Sequence, residues 1–184
     1  MKCNTKNRPL TPEQEERQRK HNIRNNEQYL NYISRCLMLS VRNNAGFGAV
    51  RLGLRQGCGE FLIYGSLDGP RLDHTVANFQ TLQFLADHGA HGYLIGNTTM
   101  VTVVKNGKIT FPAGCAGTIS VFCMGPDAEG VTEKGLFYGV EEATLTSGFP
   151  LGVSNHFTGE PAEISVKNGS LLVLWEKQNG FPDR

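Results

Sequence analysis

The chain has 184 residues, 39% of them hydrophobic, and a formal net charge of +1, so it can bury the core of one domain or two small ones without disulfide bonds. No apolar run approaches the roughly 20 residues of a membrane span, and the polar segment from Met1 to Asn4 has no signal-peptide core, which predicts a cytoplasmic protein. The five cysteines form no CxxC pair and no zinc-ligand spacing, and we expect most to be reduced and buried.

The charges are unevenly distributed, and this imbalance predicts a boundary near Asn43. Residues 1–43 contain nine basic residues (Lys and Arg) and four acidic residues (Asp and Glu), whereas residues 44–184 contain nine basic and thirteen acidic residues. The first segment is therefore basic and the remainder is mildly acidic. Because a step in composition often marks a junction, we expect residues 1–43 to form an extension separate from the rest.

A polar helix is predicted within this extension. Thr11 can serve as its N-cap, Pro12 fits the first helical position, and Gln14 completes a capping box. A basic helix can contact nucleic acid, and such binding would weaken steeply with salt. No groove-reading motif is present, however, and glutamates are interspersed among the basic residues, which favours a solvated helix: Glu13, Glu15, Glu16 and Glu27.

Residues 44–97 have the pattern of a partial α/β domain, strand-helix-strand. A helix is predicted over residues 49–57, a buried strand over 61–65, and a second strand over 91–96. A longer helix between the two strands begins at Asp73, whose side chain can accept backbone N–H bonds as the N-cap. Apolar residues at helical spacing predict its inward stripe: Val76, Phe79, Leu82, Phe84 and Leu85.

Residues 98–184 lose the helical pattern and are predicted to be all β. Two Asn-Gly pairs, Asn106-Gly107 and Asn168-Gly169, are typical of tight hairpins. We expect two small sheets packed as a sandwich. Turn residues separate the predicted strands, which are TMVTVV, KITF, TISVFCM, GLFYGV, AEISV and LLVLW.

Several common active-site motifs are incomplete in this chain. Residues 130–135 have the glycine spacing of a P-loop, but Leu136 stands where the phosphate-binding lysine is required. Residues 46–51 lack the third glycine of a dinucleotide fingerprint, and residues 152–156 lack the last glycine of a nucleophile elbow. His88 and His91 straddle the end of the long helix, which argues against a zinc site.

The start of the long helix carries the strongest chemical pattern. Asp73 is either a helix cap or a carboxylate with a catalytic role. Arg71 lies two residues earlier, and a guanidinium and a carboxylate at a strand–helix junction can together organise phosphates and Mg²⁺, because the helix N-terminus adds positive potential. His74 is either a surface residue or a phosphate contact, and the spacing leaves the choice open.

Three segments, in this order, resemble the thiamine pyrophosphokinase family over about residues 49–175. The first is FLIYGSLDGPRLDHTVANFQTL, which is similar to the family's strand, glycine turn and R-x-D-H helix. The second is the hairpin region from Asn97 to Phe111. The third resembles the family's thiamine-binding sandwich and reads EEATLTSGFPLGVSNHFTGEPAEISVKNGSLLVLW.

This resemblance implies an enzyme that transfers diphosphate from ATP to the hydroxyethyl oxygen of thiamine, giving thiamine diphosphate and AMP. By position, Asp73 becomes the catalytic and Mg²⁺-binding carboxylate, and Arg71 and His74 become contacts of the phosphates. The resemblance also implies a homodimer in which the α/β part of one chain faces the sandwich of the other. The implied thiamine contacts are Ser154, Asn155 and Phe157.

The beginning of the chain departs from the family. The family has a G-D-x-D-S type motif in its first α/β segment and a K-D-x-T-D type motif before the first matching helix. Residues 41–47 stand where the second motif is expected and contain no Asp, and the first motif has no counterpart, since residues 1–43 contain no Asp either. Because such carboxylates hold Mg²⁺, we expect a truncated or rearranged chain with impaired catalysis. The alternative is a non-catalytic thiamine-binding or dimerisation module.

Overall fold

The structure is a computed structural model and describes residues 36–40 and 45–178. The polar helix predicted from Pro12 lies outside these residues. The elements, in chain order, are β1 (Cys36–Ser40), α1 (Ala45–Arg55), β2 (Glu60–Tyr64), α2 (Leu72–Asp87), β3 (His91–Ile95), β4 (Thr99–Lys105), β5 (Lys108–Phe111), β6 (Thr118–Cys123), β7 (Ala128–Lys134), β8 (Val140–Leu145), β9 (Gly152–His156), β10 (Ala162–Ser165) and β11 (Ser170–Glu176).

The strands form two sheets. The large sheet has seven strands in the order β1-β2-β3-β4-β11-β6-β9, and the small sheet has four in the order β5-β10-β7-β8. The first three strands of the large sheet pair in parallel, as expected where helices connect consecutive strands. All other pairs are antiparallel. The predicted α/β part followed by a β-sandwich is thereby confirmed.

The helix α2 packs against β3 and β4. It lies close to the sheet because Gly92 has no side chain: a Cβ there would lie 2.6 Å from Leu85 Cδ1 and 2.7 Å from Leu82 Cδ2. Leu82 and Leu85 are buried with apolar residues of β2, β3 and β4 in the core of this half. The inward stripe predicted for α2 is therefore right at Leu82 and Leu85, and Phe79 and Phe84 are partly buried against the same core, but Val76 is exposed.

The large sheet continues from the α/β part into the sandwich. The strand β3 pairs antiparallel with β4, so no break in the sheet marks the predicted boundary between residues 97 and 98. The strand β1 lies within the predicted extension 1–43 and pairs with β2. The division into residues 1–43, 44–97 and 98–184 stays a prediction, and the described hydrogen bonds run across both of its boundaries.

The small sheet packs on the β4, β11 and β6 side of the large sheet and forms the sandwich core. An aromatic cluster lies in this core: Phe111 contacts Trp175 at 5.4 Å and Phe157 at 5.0 Å between ring centroids, both edge to face. Such pairs add stability beyond the burial of their surface. The cluster ties β5 of the small sheet to β11 of the large one.

The two Asn-Gly pairs are turns, but the prediction of hairpins is wrong. Each turn joins strands of different sheets: β4 to β5 and β10 to β11. The turns bond to each other, since Asn106 N donates to Gly169 O at 3.1 Å and Gly169 N donates to Asn106 Oδ1 at 2.9 Å. A residue with positive φ, such as Asn106 at 46°, reverses the chain, but burial decides which strand it then meets.

The predicted strand GLFYGV is also wrong. Gly135 has a φ of 72°, and Leu136 makes an isolated bridge to Phe157 before the strand β8 begins at Val140. We call residues 135–139 the bend. Three strands that the pattern did not anticipate, β7, β8 and β9, carry too many polar residues for an apolar run to reveal them.

Asp73 is not the N-cap of α2. Arg71 occupies that position without a side-chain cap bond, and Asp73 lies in the first helical turn. The carboxylate still meets the partial positive charge of the helix N-terminus from there. Cys58 and Cys115 are buried and Cys123 is partly buried. No helix in the described part of the chain is long and apolar enough to cross a membrane.

Candidate functional site

The residues that sequence motifs single out lie at two places in the fold. Arg71, Asp73 and His74 begin the helix α2, whereas Ser154, Asn155 and Phe157 lie on or directly after β9. Asn155 reaches into the sandwich, and Arg71 and Asp73 lie at the surface.

Ser154 has a left-handed backbone, with a φ of 59°. Its N–H donates to Ser120 Oγ on β6 at 3.0 Å, and the pairing of β6 with β9 shifts register between Ile119 and Val121. An irregularity of this kind turns the strand locally. It leaves Ser154 exposed and directs Asn155 into the interior, so that the two neighbours have different surroundings.

Asn155 is 4% exposed, and protein groups occupy its amide on every side. Its Oδ1 accepts from the backbone N–H groups of Tyr138 and His156, both at 2.9 Å. Its Nδ2 donates to Tyr138 O at 2.7 Å and to Glu133 Oε2 at 3.1 Å. Asn155 therefore holds the bend against β9, and the prediction that it contacts thiamine directly stays a prediction.

Glu133 is a buried carboxyl group that the sequence analysis missed. It is 2% exposed and lies on β7 between Ile164 of β10 and Val140 of β8. Burial raises the pKa of Glu133 to about 7, although the hydrogen bond from Asn155 opposes this shift. The signal in the sequence is period-two alternation, which places Glu133 on the same face of β7 as the buried Val131.

Phe157 is a core residue. Its ring packs edge to face on Phe111, and its backbone N–H donates to Gly117 O at 3.1 Å. Its bridge to Leu136 fixes the start of the bend. The predicted contact of Phe157 with thiamine is untested by this geometry, which shows Phe157 supporting the bend from inside.

Large apolar side chains around the bend are exposed. Phe137 and Tyr138 pack edge to face at 4.9 Å. Phe149 and Leu151 belong to the loop between β8 and β9 and line a small cavity beside Val121. The bend lies beside β9, since Phe137 N donates to His156 O at 2.9 Å, and exposed apolar side chains at such neighbouring places are candidates for a binding surface. We call it the apolar rim; its members, each more than half exposed, are Phe137, Tyr138, Phe149, Leu151 and Val153.

At the start of α2, Arg71 and Asp73 form a two-pronged ion pair. Arg71 Nε donates to Asp73 Oδ1 at 3.1 Å, and Nη2 donates to Oδ2. The hydrogen bond from Arg71 lowers the pKa of Asp73, and the same bond raises the pKa of Arg71. Both side chains are about two-thirds exposed, at 65% and 63%, so a ligand can reach them.

The loop before this ion pair is fixed by polar contacts. Asp68 Oδ2 accepts from the backbone N–H of Asn97 at 2.8 Å, and Asn78 Nδ2 donates to Ser66 O at 2.8 Å. These bonds tie the loop after β2 to the loop after β3 and to α2. The carboxyl ends of the parallel strands, where ligands of open α/β sheets bind, therefore carry an ordered loop.

The two places are separated within one chain. The strand β9 lies four positions from β3 in the large sheet, with β4, β11 and β6 between them. At about 4.8 Å per strand, this amounts to roughly 19 Å across the sheet. A single small molecule bound at β9 is therefore not expected to reach the helix start of the same chain.

A magnesium site is not formed by the described residues alone. No three His, Cys, Asp or Glu side chains among them converge as metal ligands. The carboxylate of Asp73 is engaged by Arg71, and one oxygen of Asp68 accepts the Asn97 N–H. The donor set in this part of the chain thus does not fit a protein-bound Mg²⁺, which prefers several oxygen ligands.

Residues 106–171 match the family model described as "Thiamin pyrophosphokinase, vitamin B1 binding domain". No curated protein matches the chain. The thiamine pyrophosphokinase of Bacillus subtilis is 21% identical with a TM-score of 0.65, over 71% of this chain and 62% of that one. The Geobacillus thermodenitrificans enzyme is 20% identical with a TM-score of 0.61, over 72% of this chain and 61% of that one. The yeast enzyme is 20% identical with a TM-score of 0.53, over 64% of this chain and 40% of that one.

The resemblance to the thiamine pyrophosphokinase family is confirmed by the family match and by these structures. At these identities, the likeness to the solved structures establishes the fold alone. The chain spans 62% and 61% of the length of the two bacterial structures.

Proposed function

Because the chain resembles thiamine pyrophosphokinases in sequence and fold, we propose that its sandwich binds thiamine. The observation that carries this proposal is the match of residues 106–171 to the vitamin B1 binding domain. That range contains β5 to β10, the bend and Asn155. It also contains the apolar rim, which supplies the aromatic surface that a two-ring vitamin requires.

Within this proposal the residues have different tasks. Ser154 is exposed beside the rim and offers a hydroxyl group to the vitamin. Asn155 and Phe157 hold the bend, so their contribution to affinity comes chiefly through the position of Tyr138. A direct contact of Asn155 with thiamine would require one of its four hydrogen bonds to be exchanged for one to the ligand.

We propose that the complete site is shared between two copies of the chain. Two observations support this arrangement: the roughly 19 Å between β9 and β3 within one chain, and the exposed apolar rim. A second copy could place its Arg71 and Asp73 opposite the sandwich of the first. The same contact would cover Phe137 and Phe149, whose exposure is unfavourable in water.

The proposed reaction is transfer of diphosphate from ATP to thiamine, giving thiamine diphosphate and AMP. In phosphoryl transfer the protein mainly positions the reactants and neutralises charge. Arg71 would bind a phosphate group, with His74 as a further contact, and Asp73 would orient Arg71. Mg²⁺, when bound, supplies charge neutralisation, and its ligands would have to include groups beyond the described residues. A cytoplasmic location stays a prediction.

The second candidate is a non-catalytic thiamine-binding or dimerisation module. It is favoured by the composition of residues 1–43, which contain no Asp where the family carries acidic motifs. In this case the sandwich binds the vitamin, and catalysis is impaired or lost. The two candidates agree on binding and differ on turnover.

Calorimetry with thiamine tests the shared part of the proposal, and an AMP-release assay with ATP, Mg²⁺ and thiamine separates the candidates. Saturable binding with AMP release supports the enzyme, and binding without AMP release supports the module. An Asp73→Ala variant serves as the control for contaminating activity. Failure of the full chain to bind thiamine would overturn the enzyme and the thiamine-binding module.

A further inference from the structure

The carboxyl group of Glu133 has only half of its hydrogen bonding satisfied. Oε2 accepts from Asn155 Nδ2 at 3.1 Å, whereas Oε1 is buried and has no hydrogen-bond partner within the described range 45–178. A buried carboxylate with a single donor is strongly disfavoured relative to the neutral acid. The burial of Glu133, and with it the position of Asn155 in the sandwich, is therefore sensitive to ionisation.

Charged groups on the surrounding strands do not compensate Glu133. Its direct neighbours across the strands are the apolar Ile164 and Val140. On β10, Glu163 pairs with Lys108, and on β8, Glu142 pairs with Lys167, in both cases at the surface. The remaining titratable groups on β7, β8 and β9 beside it are exposed: Lys134, Glu141 and His156.

We propose that Glu133 is a positioning residue of the thiamine site, which stays buried as the neutral acid, accepts a hydrogen bond from the Asn155 amide and thereby holds the Tyr138 bend against β9. This inference rests on the proposed binding of thiamine by the sandwich. Glu133 itself does not touch the vitamin. It acts through Asn155, which bonds both backbone groups of Tyr138.

Ionisation of Glu133 loosens the bend. The folded arrangement raises the pKa of Glu133 from 4.5 to about 7, because burial disfavours the charged form. Opening of the bend admits water and returns the group to its ordinary pKa. By linkage, the equilibrium constant for opening of the bend rises by up to about 10-fold for each pH unit between these two pKa values. Above the higher pKa, the equilibrium constant no longer changes with pH.

Hydrogen exchange of the Tyr138 and His156 amides tests this link without any ligand. Both amides donate to Asn155 Oδ1. We expect their protection factors, corrected for the intrinsic exchange rate, to fall by at least about 10-fold between pH 5.5 and 7.5 in the natural chain. Glu133→Gln, which cannot ionise, should remove this dependence, and the control Glu163→Gln, a surface carboxylate on β10, should retain it. Equal pH dependence in the natural chain and Glu133→Gln would overturn the inference.

An NMR titration of the natural chain gives the same answer if Glu133→Gln does not fold. The amide shifts of Tyr138 and His156 should follow the titration of the Glu133 carboxyl carbon with one midpoint, while the amide of Gly148 in the exposed loop should not follow it. Independent midpoints at Tyr138 and Glu133 would overturn the inference.

Calorimetry with thiamine at pH 6 and pH 8 supplies the functional readout. We expect the apparent thiamine affinity of the natural chain to fall at the higher pH in proportion to the population of the closed bend, by at most about 10-fold, and Glu133→Gln to show no such difference. The same pH dependence in both proteins would overturn the positioning role. Absence of binding at both pH values would instead overturn the proposed function, whereas the exchange experiment measures the Glu133–Asn155 link without thiamine.

Discussion

Asn155 and Glu133, 22 residues apart in the chain, meet inside the sandwich through a 3.1 Å hydrogen bond from Nδ2 to Oε2. The other three bonds of the Asn155 amide go to the bend and to its own strand. One side chain thus connects a buried acid to the loop that carries the exposed aromatic residues. The consequences for stability and binding can be measured separately.

Asn155→Ala should lower both stability and thiamine affinity. The backbone groups of Tyr138 lose their partners, and each buried group left unsatisfied costs about 1–3 kcal/mol. We expect losses of this size in the free energy of unfolding and of thiamine binding, measured by urea denaturation and calorimetry. Asn168→Ala, at an exposed turn, is the control. A dissociation constant unchanged by Asn155→Ala would remove the residue from the site.

The stability of the natural chain should fall as pH rises from about 4.5 to about 7. In that window the folded chain binds a proton at Glu133 that the unfolded chain has already released, so higher pH favours unfolding. Relative to Glu133→Gln, the free energy of unfolding should decrease by a total that approaches about 3 kcal/mol, with no further decrease above the higher pKa. Denaturation followed by the fluorescence of the buried Trp175 measures it, and a parallel pH dependence in Glu133→Gln would contradict it.

Asp73→Ala should abolish diphosphate transfer and leave thiamine affinity and the unfolding midpoint nearly unchanged. The Arg71–Asp73 pair is exposed, and surface ion pairs contribute little to stability. AMP release, calorimetry and thermal denaturation are the measurements, with Asp127→Ala at another exposed position as the control. A large loss of stability would show that Asp73 is chiefly a structural element of the helix start.

Phe137→Ser should weaken self-association if two chains share the site. Removal of an exposed aromatic ring from the apolar rim reduces the apolar area that a dimer buries. Sedimentation equilibrium should show a dimer for the natural chain and a larger monomer fraction for the variant. Leu52→Ser, an exposed apolar position on α1, should not change the distribution. A natural chain that is monomeric at all concentrations would exclude the shared site.

Gly135→Ala should destabilise the chain by roughly 2–4 kcal/mol. Its φ of 72° disfavours any side chain, and an added Cβ would overlap the carbonyl oxygen of Pro161 and lie 2.8 Å from Ala162 Cα. Urea denaturation measures the effect. Gly148→Ala, where an added Cβ meets nothing within 4 Å, is the matched control. Equal stability of the two variants would mean that the bend can move away from β10.

Local periodicity predicted the α/β elements well. The buried strands β2 and β3 and the helix between them follow from apolar runs and helical spacing, and the structure confirms all three. The cap was misplaced by two residues, because propensity favours Asp at the N-cap but does not require it. Periodicity predicts which face of a helix points inward, but it does not predict how much of that face the sheet covers. The exposure of Val76 was therefore not predicted.

The candidate site was predictable only in part. Its residue types followed from short motifs at Arg71 to His74 and at Ser154 to Phe157. Glu133 and Tyr138 were missed, since their importance arises from contacts with Asn155 across 22 and 17 positions of the chain. Such contacts depend on strand pairing, which local sequence specifies weakly.

The sequence by itself determined the helices and strands of the α/β part, the strands β4, β5, β6, β10 and β11, the two Asn-Gly turns and the resemblance to thiamine pyrophosphokinases, because these depend on spacing within short segments. Only the tertiary structure decided that the Asn106 turn and the Gly169 turn each join strands of different sheets, that Glu133 is buried, and that β9 lies four strands from β3. The physical reason is that burial and strand partners are set by the packing of the whole chain. A local sequence pattern can indicate which residue types could take part in chemistry. The protonation state of such a residue, and the groups that it contacts, depend on the packed tertiary structure.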